Sequence, residues 1–255
     1  MKPIIGAQLF TVRANTKTED DSAETLRRVR EMGYRNVQVS AFGPYRTEFL
    51  REELKKNELT VCATHTAYER IIGETDAVIA EHLELGVPYV GLGMRKFATE
   101  EDVHVFLREI LPASEKIRES GLQFVYHNHH HEFAPLDTGR TPMEIILENT
   151  TPEEFGLLVD VHWLVAAGIS PTSFLRRNAD RIDVIHLKDF ALDAERNRIF
   201  AAVGDGNMDF EEILAVAEEI GVKFAAVEQD NCYGEDPFAC LERSLKYLRG
   251  IGYDL

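Results

Sequence analysis

The sequence predicts a closed (β/α)8 barrel formed as a single domain over residues 1–255. Three observations carry that prediction. Short apolar runs alternate with longer segments of helical period eight times along the chain. The length of 255 residues is ordinary for this architecture. The Gly-rich first turn of an open, doubly wound sheet is missing after Phe10. Repeated strand–helix–strand units impose parallel strands with right-handed crossovers, so eight such units close on themselves.

The elements follow in order. The first predicted strand is Ile4–Phe10. Ser22 is the expected cap of the first helix, where Thr25, Leu26, Val29 and Met32 recur at helical spacing and Gly33 is the stop. Predicted strand two is Asn36–Ser40, followed by a helix over Pro44–Asn57. Strand three, Thr60–Thr64, runs into His65. Glu74–Leu85 is expected to be helical and to stop at Gly86. Strand four is predicted at Tyr89–Gly93. Thr99 caps a long predicted helix reaching Ser120, with Gly121 after it. Strand five is Leu122–His127, and Thr141-Pro142 opens the next helix. Strand six, Phe155–Val159, ends at Asp160. A helical stretch and Pro171–Asn178 lead to strand seven, Ile182–Leu187, which runs into Lys188-Asp189. Asp189–Met208 is predicted to be the longest loop. Phe210–Ile220 is a helix stopped by Gly221; strand eight, Lys223–Val227, ends at Glu228-Gln229-Asp230; Pro237–Arg249 closes the chain.

Composition removes several classes of function. An apolar content of 44% supports a sizeable core. A net charge of −16 repels nucleic acid, and no basic patch offsets that field. No apolar run of about 18 residues spans a membrane. Met1-Lys2-Pro3 leads directly into a strand without a signal peptide, so a cytoplasmic protein is expected. Cys62, Cys232 and Cys240 lack paired spacing and read as reduced thiols. A homodimer is the ordinary expectation for such a barrel.

The chemistry gathers where a barrel keeps its active site, at the carboxyl ends of the strands. Those ends read Gln8, Ser40, His65, Gly93, His127, Asp160, His186 with Lys188, and Glu228. Each belongs to a different strand, so only the fold brings them together. Asp160 alone reads as a helix cap, and His186 alone as an interior histidine. Jointly they form a mixed nitrogen and oxygen donor set suited to one divalent ion: Mn, Co, Zn or Mg, with Mn or Co the best match.

The motifs GAQLFTVR (6–13), ATHTAY (63–68), YHNHHHEF (126–133), DVHW (160–163), HLKD (186–189), VGDGNMDF (203–210) and VEQD (227–230) resemble the xylose isomerase-like TIM barrel superfamily. The resemblance covers the whole chain and falls nearest the group labelled sugar phosphate isomerase/epimerase, beside inosose dehydratase and the enzymes that cleave 3-keto-glycosides. It implies a carbohydrate enzyme whose metal is held at the ends of strands five to eight. Asp160, His186 and Glu228 match the last three ligand positions. His127 stands where the family has a glutamate. The resemblance therefore leaves two candidates for the fourth ligand: Glu132, which would keep three carboxylates, or His127 itself. It implies proton abstraction beside a carbonyl, with His127 and Glu228 as acid and base and Lys188 donating to the developing oxyanion. A dehydratase or lyase step on a 3-keto-glycoside or inosose is the alternative, and a non-catalytic sugar-binding barrel a distant one. Gln8, Phe10, His65, His129, Trp163 and Lys188 are the expected substrate contacts. The nucleases of the superfamily need further histidines on strand four and after strand seven. Here strand four ends in Gly91-Leu92-Gly93, and residues 190–210 contain no histidine. No Gly- or Arg-rich phosphate loop is present, so an unphosphorylated substrate is expected.

Overall fold

The computed structural model describes residues 1–253. Eight parallel strands close into a barrel: β1 (Ile4–Gln8), β2 (Asn36–Val39), β3 (Thr60–Thr64), β4 (Tyr89–Leu92), β5 (Gln123–His127), β6 (Gly156–Asp160), β7 (Ile182–Leu187) and, after the hairpin strands β8 (Asp189–Leu192) and β9 (Arg198–Ala201), β10 (Phe224–Val227). Around it run α1 (Glu19–Met32), α2 (Thr47–Lys56), α3 (Tyr68–Gly73), α4 (Thr75–Leu85), α5 (Glu100–Glu119), α6 (Pro142–Glu148), α7 (Val161–Ala166), α8 (Pro171–Arg177), α9 (Phe210–Ile220) and α10 (Pro237–Gly250). None of these helices is long and apolar enough to cross a membrane.

Strand alternation decides what faces the barrel axis. Residues two apart share a face. Val125 therefore shares its face with His127, Leu158 with Asp160, and Val184 with His186. Val125, Leu158 and Val184 join Cys62, Ala63 and Tyr89 in one small buried cluster. Register places Asp160 beside His186, and His186 beside Ala226, two residues before Glu228. An apolar plug thus supports a polar layer at the carboxyl mouth. The outward faces of the strands meet the helices in the larger core, where Phe106, Phe124 and Phe155 are almost fully buried.

Local chemistry explains the helix boundaries. Thr99 and Asp102 form a capping box on α5, and Thr141 and Glu144 do so on α6, with Pro142 in the first turn. The cap of α1 differs from expectation. Thr18 caps it and pairs reciprocally with Asp21, while Ser22 is buried inside the helix. β1 stops at Gln8 because its side chain accepts from Phe10 N (3.3 Å) and opens a 3-10 turn over Leu9–Asn15. The sequence leaves α3 unassigned.

The stretch expected as a loop contains the β8–β9 hairpin, with Asp189 opposite Ala201. Asp189 also organises the residues after it. Its carboxylate accepts from the backbone N–H groups of Phe190 (2.8 Å), Gly204 (3.0 Å), Gly206 (3.0 Å) and Met208 (3.2 Å). A Cβ at Gly206 would lie 2.3 Å from Asp189 Oδ1, so the close approach requires glycine.

Candidate metal and active site

His127 ends β5 with its ring held from behind. Its Nδ1 lies 2.9 Å from Gly93 O, an acceptor only, so Nδ1 carries the hydrogen and Nε2 is left with its lone pair. That Nε2 faces Asp160 Oδ2 at 3.4 Å. His186 is oriented the same way. Gln38 Oε1 accepts from its Nε2 at 2.7 Å, which turns Nδ1 toward Glu228 Oε2 (2.9 Å) and Asp160 Oδ2 (3.7 Å). Asp160 Oδ1 caps α7 by accepting from His162 N (2.9 Å) and Trp163 N (3.2 Å). Asn128 Oδ1 accepts from Asp160 N at 3.0 Å and fixes the backbone. Only Oδ2 of Asp160 remains for the centre.

His127, Asp160, His186 and Glu228 are all buried, and each offers a donor atom within 4.8 Å of the others. The separations of 2.9, 3.4 and 3.7 Å resemble the roughly 3–3.5 Å edges of a coordination sphere with bonds of about 2.1 Å. His186 Nδ1 and Glu228 Oε2 are buried and close, yet are not aligned into a hydrogen bond. With each ring's other nitrogen already donating, these lone pairs call for a positive charge between them. Formal charge agrees: with both histidines neutral, Asp160, Glu228 and the partly exposed Asp230 against Lys188 leave two negative charges for a divalent ion to balance. The residues present fit a metal.

Lys188 is 1% exposed. Its Nζ reaches Asp160 Oδ2 (2.8 Å), Glu228 Oε2 (3.0 Å) and both oxygens of Asp230 (3.1 and 3.2 Å). Burial lowers its pKa, but the three carboxylates more than offset this and raise it. Burial likewise raises the Asp160 pKa, yet the Lys188 charge and His127 hold that carboxyl well below the usual range.

A cavity of about 550 Å³ opens above this group, with Phe10, His65, His129, Lys188, Glu228 and Asp230 in its wall. Ser40 Oγ meets His65 Nδ1 at 3.0 Å, and His65 Nε2 has no protein partner. Burial, then the neighbouring His127, lowers the His65 pKa well below its ordinary value, so the ring is neutral. Burial chiefly takes His129 down to about 3.

The geometry corrects several expectations. Glu132 is not with Asp160, His186 and Glu228. A 3-10 turn at His131–Phe133 folds it back into a separate group with His129 and His131. There it accepts from Tyr126 Oη (2.7 Å) and His129 N (2.8 Å) and pairs with His131 Nε2 (3.1 Å). His127 stands in the place expected for it, grouped with Asp160, His186 and Glu228 as a side chain that could hold a metal. Gln8 is fully buried beneath the site, 3.5 Å from His186 Nε2, and does not line the cavity. Trp163 lies behind His129, ring centroids 5.3 Å apart, and is likewise absent from the wall. Two side chains carry no assignment from sequence. Gln38 orients His186, and Asp230 holds Lys188. For Asp230 the signal was present in the VEQD run; for Gln38 there was none beyond its place near the end of β2.

A closed parallel barrel with a buried imidazole–carboxylate group at its carboxyl mouth defines a (β/α)8 protein of enzyme type. The chain belongs to the xylose isomerase-like TIM barrel family, whose sequence model matches residues 26–250. In sequence it is similar to inosose dehydratase of Lacticaseibacillus casei, 32% identical over 154 residues, or 52% of this chain and 49% of that one. The chain thus spans about half the length of that relative. In structure it is similar to a sugar phosphate isomerase/epimerase from Parabacteroides distasonis ATCC 8503, with a TM-score of 0.82, 22% identity, and 100% and 96% of the two chains covered. An L-ribulose 3-epimerase gives a TM-score of 0.74 at 16% identity over 98% and 94%. These structural likenesses establish the fold.

Proposed function

We propose that this protein is a divalent-metal-dependent isomerase or epimerase that removes a proton beside the carbonyl of an unphosphorylated keto-sugar, aldose/ketose or keto-inositol. The observation that carries this reading is the buried His127, Asp160, His186 and Glu228 set, of which His127 and Glu228 line the cavity. When bound there, Mn, Co, Zn or Mg supplies a Lewis acid that polarises the substrate carbonyl. Glu228, in the cavity wall, takes the proton from the adjacent carbon. Lys188 donates to the oxygen that gains charge as that proton leaves. The neutral His65 and His129 rings hydrogen-bond substrate hydroxyls, and Phe10 packs against a C–H face. The cationic side chains in the wall, Lys188 and Arg95, are accompanied there by Glu228, Asp230 and Glu69, which disfavours a phosphate ester.

Similarity to inosose dehydratase supports a second reading that shares the first step: after the proton is taken, a β-hydroxyl or alkoxide leaves. One experiment separates them. Mn-loaded protein is incubated with keto-inositols, ketohexoses and 3-keto-glycosides in D2O and followed by NMR and ultraviolet absorbance. Deuterium entering beside the carbonyl without loss of oxygen supports the isomerase or epimerase, and an enone chromophore or a released aglycone supports the lyase. Absence of exchange on every substrate, with metal bound, sinks both.

A further inference from the structure

One buried charge stands in the way of the metal. The Lys188 ammonium contacts Asp160 Oδ2 and Glu228 Oε2, the oxygens that face His186. A divalent ion on the same pair would sit next to that ammonium in a buried site, where like charges repel strongly. The ammonium has somewhere to go. Asp230 lies outside the donor group, contacts Nζ through both oxygens, and keeps its side chain 22% exposed toward the cavity.

We propose that Lys188 is the resident cation of this site and that Asp230 is its second seat. Without metal, the ammonium bridges Asp160 and Glu228. As the site loads, Lys188 gives up both and moves wholly onto Asp230, staying in the cavity wall. Metal binding is then an exchange of cations, and the Lys188–Asp230 pair sets its affinity. The inference rests on the metal-site reading above. Asp230 is a positioning residue in this scheme, acting through Lys188.

The test is titration of metal-stripped protein with Mn2+, read from the electron paramagnetic resonance signal of the free ion. Lys188→Met removes the competitor, and its affinity rises at least about tenfold, while Asp230→Asn removes the second seat and lowers it by a similar factor. A simple electrostatic role for Asp230 predicts the same loss with or without Lys188. Exchange predicts that Asp230→Asn has less than about a threefold effect in the Lys188→Met background. Unchanged or weaker binding by Lys188→Met, or a full Asp230→Asn loss in that background, overturns the proposal. Should Lys188→Met not fold without metal, Lys188→Gln carries the same expectation. Failure of the two readings is distinguishable. Wild type that binds Mn2+ with no gain in the Lys188 variants refutes only the exchange. No binding by wild type or by either Lys188 variant refutes the metal site itself.

Discussion

Glu132→Gln and His127→Ala separate the two residues that the sequence leaves in competition. Glu132 is fully buried and accepts from Tyr126 and His129, with His131 alongside. A hydrogen bond to a charged group contributes about 1.5–3 kcal/mol, and a buried donor left facing another donor costs about 1–3 kcal/mol. The amide keeps one acceptor oxygen, so it fails either the Tyr126 side or the His129 side. Glu132→Gln should therefore destabilise the metal-stripped protein by about 3–5 kcal/mol in urea. At about 2 °C per kcal/mol for a chain of this size, the Tm should fall by about 6–10 °C. Its Mn2+ affinity should stay within about threefold of wild type, because the donor group is separate. His127→Ala should do the reverse. Stability should change less, while affinity should fall by more than the roughly 10–100-fold expected for an outer partner. Elemental analysis and Mn2+ titration read the second quantity, urea denaturation the first. Loss of metal by Glu132→Gln with retention by His127→Ala would refute the assignment.

Three further outcomes are expected. Gln38→Leu removes the acceptor that orients His186 and should weaken Mn2+ binding about 10–100-fold, measured by the same titration. Arg181→Ala should cost about 3–5 kcal/mol in urea denaturation. Its nearly buried guanidinium donates through Nη1 to Thr150 Oγ1, Thr151 O and Phe155 O and through Nη2 to Leu147 O and Thr150 O; a cost below about 1 kcal/mol would mean that water replaces it. His82 has its pKa lowered, chiefly by burial, while its ring is held by Thr64 Oγ1 (2.8 Å) and Val78 O (2.7 Å). A lowered folded pKa favours the neutral ring in the native state. Stability is therefore complete above the unfolded value of about 6.5 and falls as pH drops toward the folded pKa. Urea midpoints between pH 7 and 5 should decline less in His82→Gln than in wild type; identical slopes would remove His82 from the acid response.

The barrel was legible because each strand–helix unit repeats the same signals: an apolar run, a helical period, and often a stop such as Gly33, Gly86 or Gly221. The β8–β9 hairpin was not, because its strands are short and only partly buried, and its fold depends on Asp189 gathering four backbone N–H groups from residues 190–208. The candidate ligands at β6, β7 and β10 could be read one strand at a time, since alternation and register alone bring them together. The choice at β5 could not. It depends on whether the chain after His127 points Glu132 inward or back, and that is settled by Tyr126 and the His129 amide, not by any pattern in YHNHHHEF. Gln8 and Trp163 lie outside the cavity wall for a related reason: sequence places a residue at the mouth, but the packing of its neighbours decides whether it faces the cavity or supports a ring that does.

Charge links His127, expected from the resemblance to stand where the family has a glutamate, to its neighbours. An imidazole in place of a strand-five carboxylate leaves two carboxylates in the donor group, enough to neutralise a divalent ion. Lys188 would then be a surplus positive charge in a buried layer, and Asp230 supplies its counter-ion from the same strand end as Glu228. On the proposed exchange, a loaded site would close at zero, with Lys188 on Asp230 and the divalent ion balanced by Asp160 and Glu228. Lys188 Nζ lies 2.8 Å from Asp160 Oδ2 and 3.0 Å from Glu228 Oε2, the contacts that the proposed exchange would release. On that proposal, His127, Lys188 and Asp230 would act as one electrostatic unit. His127→Glu without a change at Lys188 or Asp230 would leave a buried negative charge unmatched when metal is bound, at a cost of several kcal/mol. The three positions are expected to be exchangeable only together.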